Sequence, residues 1–211
     1  MGAPTRFLAR PRAVLAVIAL VLPFSASAVA QTPLSVTVMG HPGDSRVVAV
    51  QDAVAFWNRQ LEQMSADVRL GPVRVVGPTL SDRDLRKLSD GVRGWRRGPD
   101  LEGLIAPIPG DVVIALSGAD LMSFGVPWRR GSKGFVALRR ADIEPLSLPN
   151  VARNAAAHEL GHVLGLGHNG DPTTLMCGRP APCRPARFAS DTERFFPLTF
   201  SDGRRLRDLW P

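Results

Sequence analysis

Three of the chain's four histidines fall in one short stretch, "HELGHVLGLGH", from His158 to His168. On an α-helix, residues four apart project from the same face one turn apart, so His158 and His162 can offer two ring nitrogens to a single ion. Glu159 follows the first of them, which brings its carboxylate beside that ion without making it a ligand. A helix continued beyond His162 would carry residue 168 away again. Gly165 and Gly167 supply the change of direction, because glycine adopts left-handed conformations at little steric cost and commonly ends helices. His168 can then swing back as a third ligand.

Three neutral imidazoles leave one coordination position for water, and that open position separates a catalytic zinc site from a structural one. His158, Glu159 and His162 match the H-E-x-x-H pattern of zinc hydrolases, in which the glutamate acts as general base. Chance can produce that pattern, and a solvated helix or satisfied core histidines can contain it. Neither accounts for a glycine at 165 and a histidine at 168. The cofactor expected is therefore one catalytic Zn(2+), held by His158, His162 and His168, with Glu159 as the catalytic residue.

The first thirty residues carry Arg6, Arg10 and Arg12, then the apolar run "AVLAVIALVLPF" and the small residues "SASAVA". This is the layout of a secretory signal peptide, so residues 1–30 are set apart from the fold. An uncleaved anchor is the alternative, but twelve apolar residues ending near Pro23 are short for a bilayer span. Without the three early arginines, 23 basic residues face 19 acidic ones, a net charge of +4. The arginines are scattered and lack aromatic interleaving, which reads as a solvated face and speaks against a nucleic-acid partner. Cys177 and Cys183 are an even pair in a chain expected to be exported, which favours a disulfide. Free thiols or zinc ligands are the alternatives. The mature chain, 31–211, is expected to be one domain, periplasmic or extracellular, monomeric and without a membrane span.

"LSVTVMG" alternates and is rich in β-branched residues, so it reads as a strand. From Asp44 onward, Val47, Val50, Val54, Trp57, Leu61 and Met64 recur at spacings of three and four, one apolar stripe on a helix of roughly five turns. "VRLGPVRVV" reads as a strand or hairpin, while "DVVIALS" and "GFVALRR" read as buried strands. A polar helix fits between Leu80 and Trp95, followed by a Pro/Gly-rich connection from Arg96 to Gly110. Pro127 allows only an edge position to "SFGVPW". Asn150 can cap the helix that carries the histidines, and Ser201 a last short one. Strands first and helices gathered toward the end argue for an α+β or three-layer mixed fold rather than a purely parallel βαβ series.

The run of His158, Glu159, His162, Gly165 and His168, followed by Met176 in "GDPTTLMCG", resembles the metzincins, whose signature ends in a methionine turn. That resemblance implies that Met176 forms a hydrophobic floor beneath the metal without ligating it. Within the class, "HELGHVLGLGHNGDPTTLM" looks most like the matrixins, and the tail "LTFSDGRRLRDLW" is similar to their final helix. Asn169 is unlike the acidic residue of the adamalysin and astacin branches, and a chain without tyrosine cannot supply the tyrosine ligand of astacins and serralysins. The implied fold is a twisted, mostly parallel five-stranded sheet with one antiparallel edge strand, two long helices and a small C-terminal part, 169–211, with a short helix. An extended peptide would lie along the edge strand, expected between Leu121 and Val126.

Departures from matrixins are equally specific. His41 is the only spare histidine, which argues against a second, structural zinc, and it reads as a loop residue. Calcium dependence is not read from the sequence. Both cysteines follow the active-site motif, so the cysteine-bearing prosegment that blocks the zinc has no counterpart here. A Cys177–Cys183 bridge would reshape the wall that matrixins build around the substrate side chain after the cut bond. The function implied is a secreted zinc endopeptidase acting on protein or peptide substrates. A silent zinc-binding module and a zinc hydrolase of non-peptide amides or esters are the alternatives.

Overall fold

A computed structural model of the chain describes Gly2 and residues 33–94, 99–178, 183 and 194–211. The signal peptide expected over residues 1–30 lies, apart from Gly2, outside the described residues. Residues 31–211 form one unit.

The β-branched alternation of "LSVTVM" produces strand β1, Leu34–Met39, and the three-and-four spacing after it produces helix α1, Ser45–Gln63. Asp44 caps α1 by accepting the Arg46 backbone N–H at 2.9 Å. Val47, Val50, Val54, Trp57 and Leu61 are buried along its inner face. Strand β2, Leu70–Val76, and helix α2, Asp82–Gly94, follow. The stretch expected as a bare connection from Arg96 to Gly110 holds a short helix α3, Leu101–Ile105. Tertiary packing supplies its reason: Ile105 and Ile108 are buried against the sheet, and the Lys133 ammonium donates to the carbonyls of Ile105, Ala106 and Ile108 at the helix end.

Strands β3, Val112–Leu116, β4, Phe124–Val126, and β5, Gly134–Leu138, complete a five-stranded sheet in the order β2-β1-β3-β5-β4. β1, β2, β3 and β5 are parallel, and β4 pairs antiparallel with β5. The antiparallel strand thus lies at the sheet's edge, inside the stretch 121–126 and just before Pro127.

Side-chain alternation divides the core in two. Val36, Val38, Val112, Ile114, Val136 and Leu138 pack with α1 and with helix α4, Pro149–Val163. Met39, Val113, Ala115, Phe135 and Ala137 pack on the opposite face with Leu85 and Leu88 of α2 and Ile105 of α3. A sheet covered by helices on both faces explains why β3 and β5 read as unbroken apolar runs. Arg153 of α4 pairs with Asp52 of α1 at 2.8 Å, tying the two helices on one face together.

Two caps differ from expectation. Asn150 does not cap α4; Leu148 occupies that position without a side-chain bond, because Pro149, whose fixed φ suits the first helical position, starts the helix two residues earlier. The Asn150 side chain is turned inward and accepts the Arg194 N–H at 3.2 Å. Ser201 is likewise inside the last helix, α5, Phe200–Leu209, which Thr199 caps. Thr199 Oγ1 accepts the Asp202 N–H and Asp202 Oδ2 accepts the Thr199 N–H, a reciprocal capping box that serine at 201 could not form with these partners.

Candidate metal centre

Helix α4 carries His158 and His162 on adjacent turns of one face, and its end decides where the third histidine goes. Gly165 has φ +96°, a left-handed conformation that L side chains rarely adopt. Around it the Leu166 N–H reaches the Gly161 carbonyl and the Gly165 N–H the His162 carbonyl, both at 3.0 Å. This pair of bonds is a Schellman cap, which satisfies the last carbonyls of α4 and turns the chain back. Gly167, expected to share in the turn, lies outside the left-handed region and would meet nothing if given a Cβ. One glycine therefore makes the turn.

The outcome is convergence. His158 Nε2 lies 3.2 Å from both His162 Nε2 and His168 Nε2, and the last two are 3.1 Å apart. His158 is buried, His162 partly so and His168 exposed. A tetrahedral zinc with nitrogen ligands at about 2.05 Å has ligand-to-ligand edges of about 3.3 Å, so the triangle matches one face of such a site.

Protonation supports the same fit. His158 Nδ1 is 2.7 Å from the Leu175 carbonyl and His162 Nδ1 is 2.9 Å from the Leu166 carbonyl. A carbonyl only accepts, so each Nδ1 carries the hydrogen, and each ring in its neutral form turns an Nε2 lone pair toward the other rings. Lone pairs facing one another at this distance repel, and one shared proton would join only two of the three rings. A cation that accepts all three relieves the repulsion. Burial pushes the His162 pKa below its usual value, and nearby His168 lowers it further against the opposing pull of the Leu166 carbonyl. Both lowering effects favour the neutral ring that a metal needs.

Glu159, next to His158 on α4, is 7% exposed. Met176 is fully buried and packs on Gly161, between the two helical histidines: a Cβ on Gly161 would fall 2.5 Å from Met176 Sδ and 3.1 Å from Trp57 Cζ2. Trp57 Nε1 donates to the Ala157 carbonyl at 2.8 Å, so α1 props the same turn of α4 from behind. On the other side, Gly125 of β4 lies against the helix, where a Cβ would come within 2.4 Å of the Glu159 carbonyl and 2.9 Å of His162 Cβ. The edge strand thus reaches the helix beside His162. His41 is exposed in the turn after β1, outside this group.

Cys177 and Cys183 form a disulfide immediately after Met176. Several contributors escaped sequence reasoning: Gly161, Gly125 and Gly178 through close approach, Asn154 through its bonds to residues 194 and 196, and Trp57 as more than core. The glycines inside "HELGH" and "MCG" were a signal, since a helix interior disfavours glycine unless something lies close.

No protein-family model matches the chain, and no curated protein matches it either. Among solved structures it is similar to the crystal structure of archaemetzincin from Methanopyrus kandleri, with 18% identity over 87% of this chain and 98% of that one and a TM-score of 0.44. What the centre can do is read from its own side chains.

Proposed function

We propose that the chain is a zinc-dependent endopeptidase of the metzincin class, exported from the cell, that cleaves protein or peptide substrates. The observation that carries this is the triangle of His158, His162 and His168 Nε2 atoms at 3.1–3.2 Å, on a helix whose next residue after the first ligand is Glu159. Assignment to the matrixin branch belongs to the same proposal and rests on the His158 to Met176 segment and the C-terminal tail.

His158, His162 and His168 would hold one zinc ion. When bound, zinc supplies Lewis acidity and lowers the pKa of a coordinated water to about 7. The chain's own part follows from position. Glu159 takes a proton from the attacking water and returns it to the departing nitrogen. The carbonyls of Leu175 and Leu166 hold two imidazoles in the tautomer that binds metal. Gly161 and Met176 form an apolar floor under the ligands, which Trp57 supports. β4, hydrogen-bonded to β5 on one side only among the described residues, offers main-chain groups to an extended substrate beside α4. The disulfide accords with an oxidising compartment, and among the described residues no helix is long and apolar enough to cross a membrane.

Glu159→Gln separates peptidase from silent module and tests the base directly. The variant is expected to keep zinc and to lose casein cleavage by about 10²–10⁴-fold, the usual worth of a general base. Cleavage by the parent should stop with a chelator and return with zinc. Unchanged cleavage in Glu159→Gln excludes the proposed base.

A further inference from the structure

Of the three imidazoles, His168 is the exposed one and the only one off the helix. Its position depends on a short ladder formed with the segment after the methionine. The Asn169 N–H donates to the Met176 carbonyl at 2.9 Å, the Gly178 N–H donates to the Asn169 carbonyl at 3.1 Å, and Asn169 and Cys177 form a parallel bridge between them. Gly178 lies against the His168 ring so closely that a Cβ on it would fall 2.1–2.3 Å from three ring atoms. Cys177, between Met176 and Gly178, is buried, and it is tied to Cys183, which is partly exposed. The covalent anchor of this ladder is therefore one residue from the backbone that confines the third ligand.

We infer that the Cys177–Cys183 bridge is a redox-sensitive latch that positions His168 and thereby sets the affinity of the metal centre. The inference rests on the metal site proposed above. An external thiolate attacks Cys183 Sγ, the S–S bond breaks, and Cys177 departs as a thiolate and takes up a proton. A second thiolate of the reductant then attacks the reductant sulfur bound to Cys183, and Cys183 departs as a thiolate and takes up a proton, so the protein gains two electrons and two protons and the reductant leaves as a disulfide. With the bridge open, the segment carrying Gly178 loses its covalent tie to Cys183 and the third ligand is less confined. A reducing compartment then keeps the chain poor in metal, and oxidation after export completes the centre. Linkage makes the effect reciprocal: if oxidation strengthens zinc binding, bound zinc favours the oxidised pair by the same factor.

The test uses the wild-type full chain, equilibrated in glutathione buffers of graded potential, once with free zinc clamped by a metal buffer and once with chelator. Thiol alkylation and mass spectrometry read the midpoint. Zinc is expected to move it to more negative potential by at least about 30 mV, which corresponds to a tenfold change in affinity. The Cys177→Ser/Cys183→Ser double variant, with unchanged circular dichroism, should bind zinc at least tenfold more weakly. No shift, or a shift toward the reduced form, overturns the latch whether or not the variant folds. A zinc-dependent shift without proteolysis by the parent supports the latch and sinks the peptidase reading. Proteolysis with no shift sinks the latch alone, and a parent that binds no zinc on direct titration overturns both.

Discussion

Gly165→Ala should weaken both the fold and the metal centre, whereas Gly167→Ala, two residues later in the same motif, should do neither. At 165 the backbone has φ +96°, and an alanine held in a left-handed conformation costs about 1–2 kcal/mol. Its Cβ would also stand 2.7 Å from Leu209 Cδ1, a 37% exposed side chain able to turn away for a smaller cost. Loss of freedom in the unfolded chain returns only about 0.4–1 kcal/mol. The net expectation is a destabilisation of about 0.5–1.5 kcal/mol, or a Tm lower by roughly 1–6 °C in a chain of this size. Should the chain relieve the strain by opening the cap, the Leu166 carbonyl moves from His162 Nδ1 and His168 loses its return path, so zinc affinity falls as well. At 167 no atom lies within 4 Å of the added Cβ and φ is outside the left-handed region. Thermal melts with zinc and with chelator, together with zinc competition titrations, compare the two variants with the parent. Equal behaviour of the two, or a Gly165→Ala variant as stable and as tight for zinc as the parent, would refute the assignment of the turn to Gly165.

Asp44→Ala should cost about 1–2 kcal/mol at neutral pH through loss of the α1 cap. Burial alone would raise the Asp44 pKa, but hydrogen bonds and charge from Arg46 outweigh it and hold the folded value below the usual one. Stability from that shift is present above the unfolded carboxylate pKa and disappears as pH falls through the lowered folded one. The gap between parent and variant in urea melts should therefore narrow below about pH 4, and a constant gap would contradict the ion-pair reading. Trp57→Phe removes a buried hydrogen bond to the Ala157 carbonyl and part of a fully buried ring, an expected loss of about 2 kcal/mol in denaturant melts. A variant as stable as the parent would show that Trp57 does not brace α4.

Periodicity made the long elements legible. The stripe from Val47 to Leu61 is one helical face, and the apolar runs 112–116 and 134–138 are strands buried on both sides. The candidate metal ligands were legible for a different reason: helical spacing of His158 and His162 is geometry written directly in residue numbers, and a glycine marks the turn to His168. What escaped has no side-chain signature. Leu175 and Leu166 act through carbonyls that any residue carries, so nothing in their identity announces the tautomer they impose on His158 and His162. α3 is five residues long and held by contacts distant in sequence, so composition pointed to a loop. The helix starts were displaced by neighbours: Pro149 begins α4 ahead of Asn150, and Thr199 caps α5 in place of Ser201. Which one wins depends on where the next segment lies.

X-ray absorption at the zinc edge of the metal-loaded protein measures the central claim most directly. Three nitrogens and one oxygen donor at about 2.0–2.1 Å are expected, with one ion per chain, and His168→Ala should lose one nitrogen. A shell containing sulfur at about 2.3 Å, or a spectrum unchanged by His168→Ala, would contradict the centre described here.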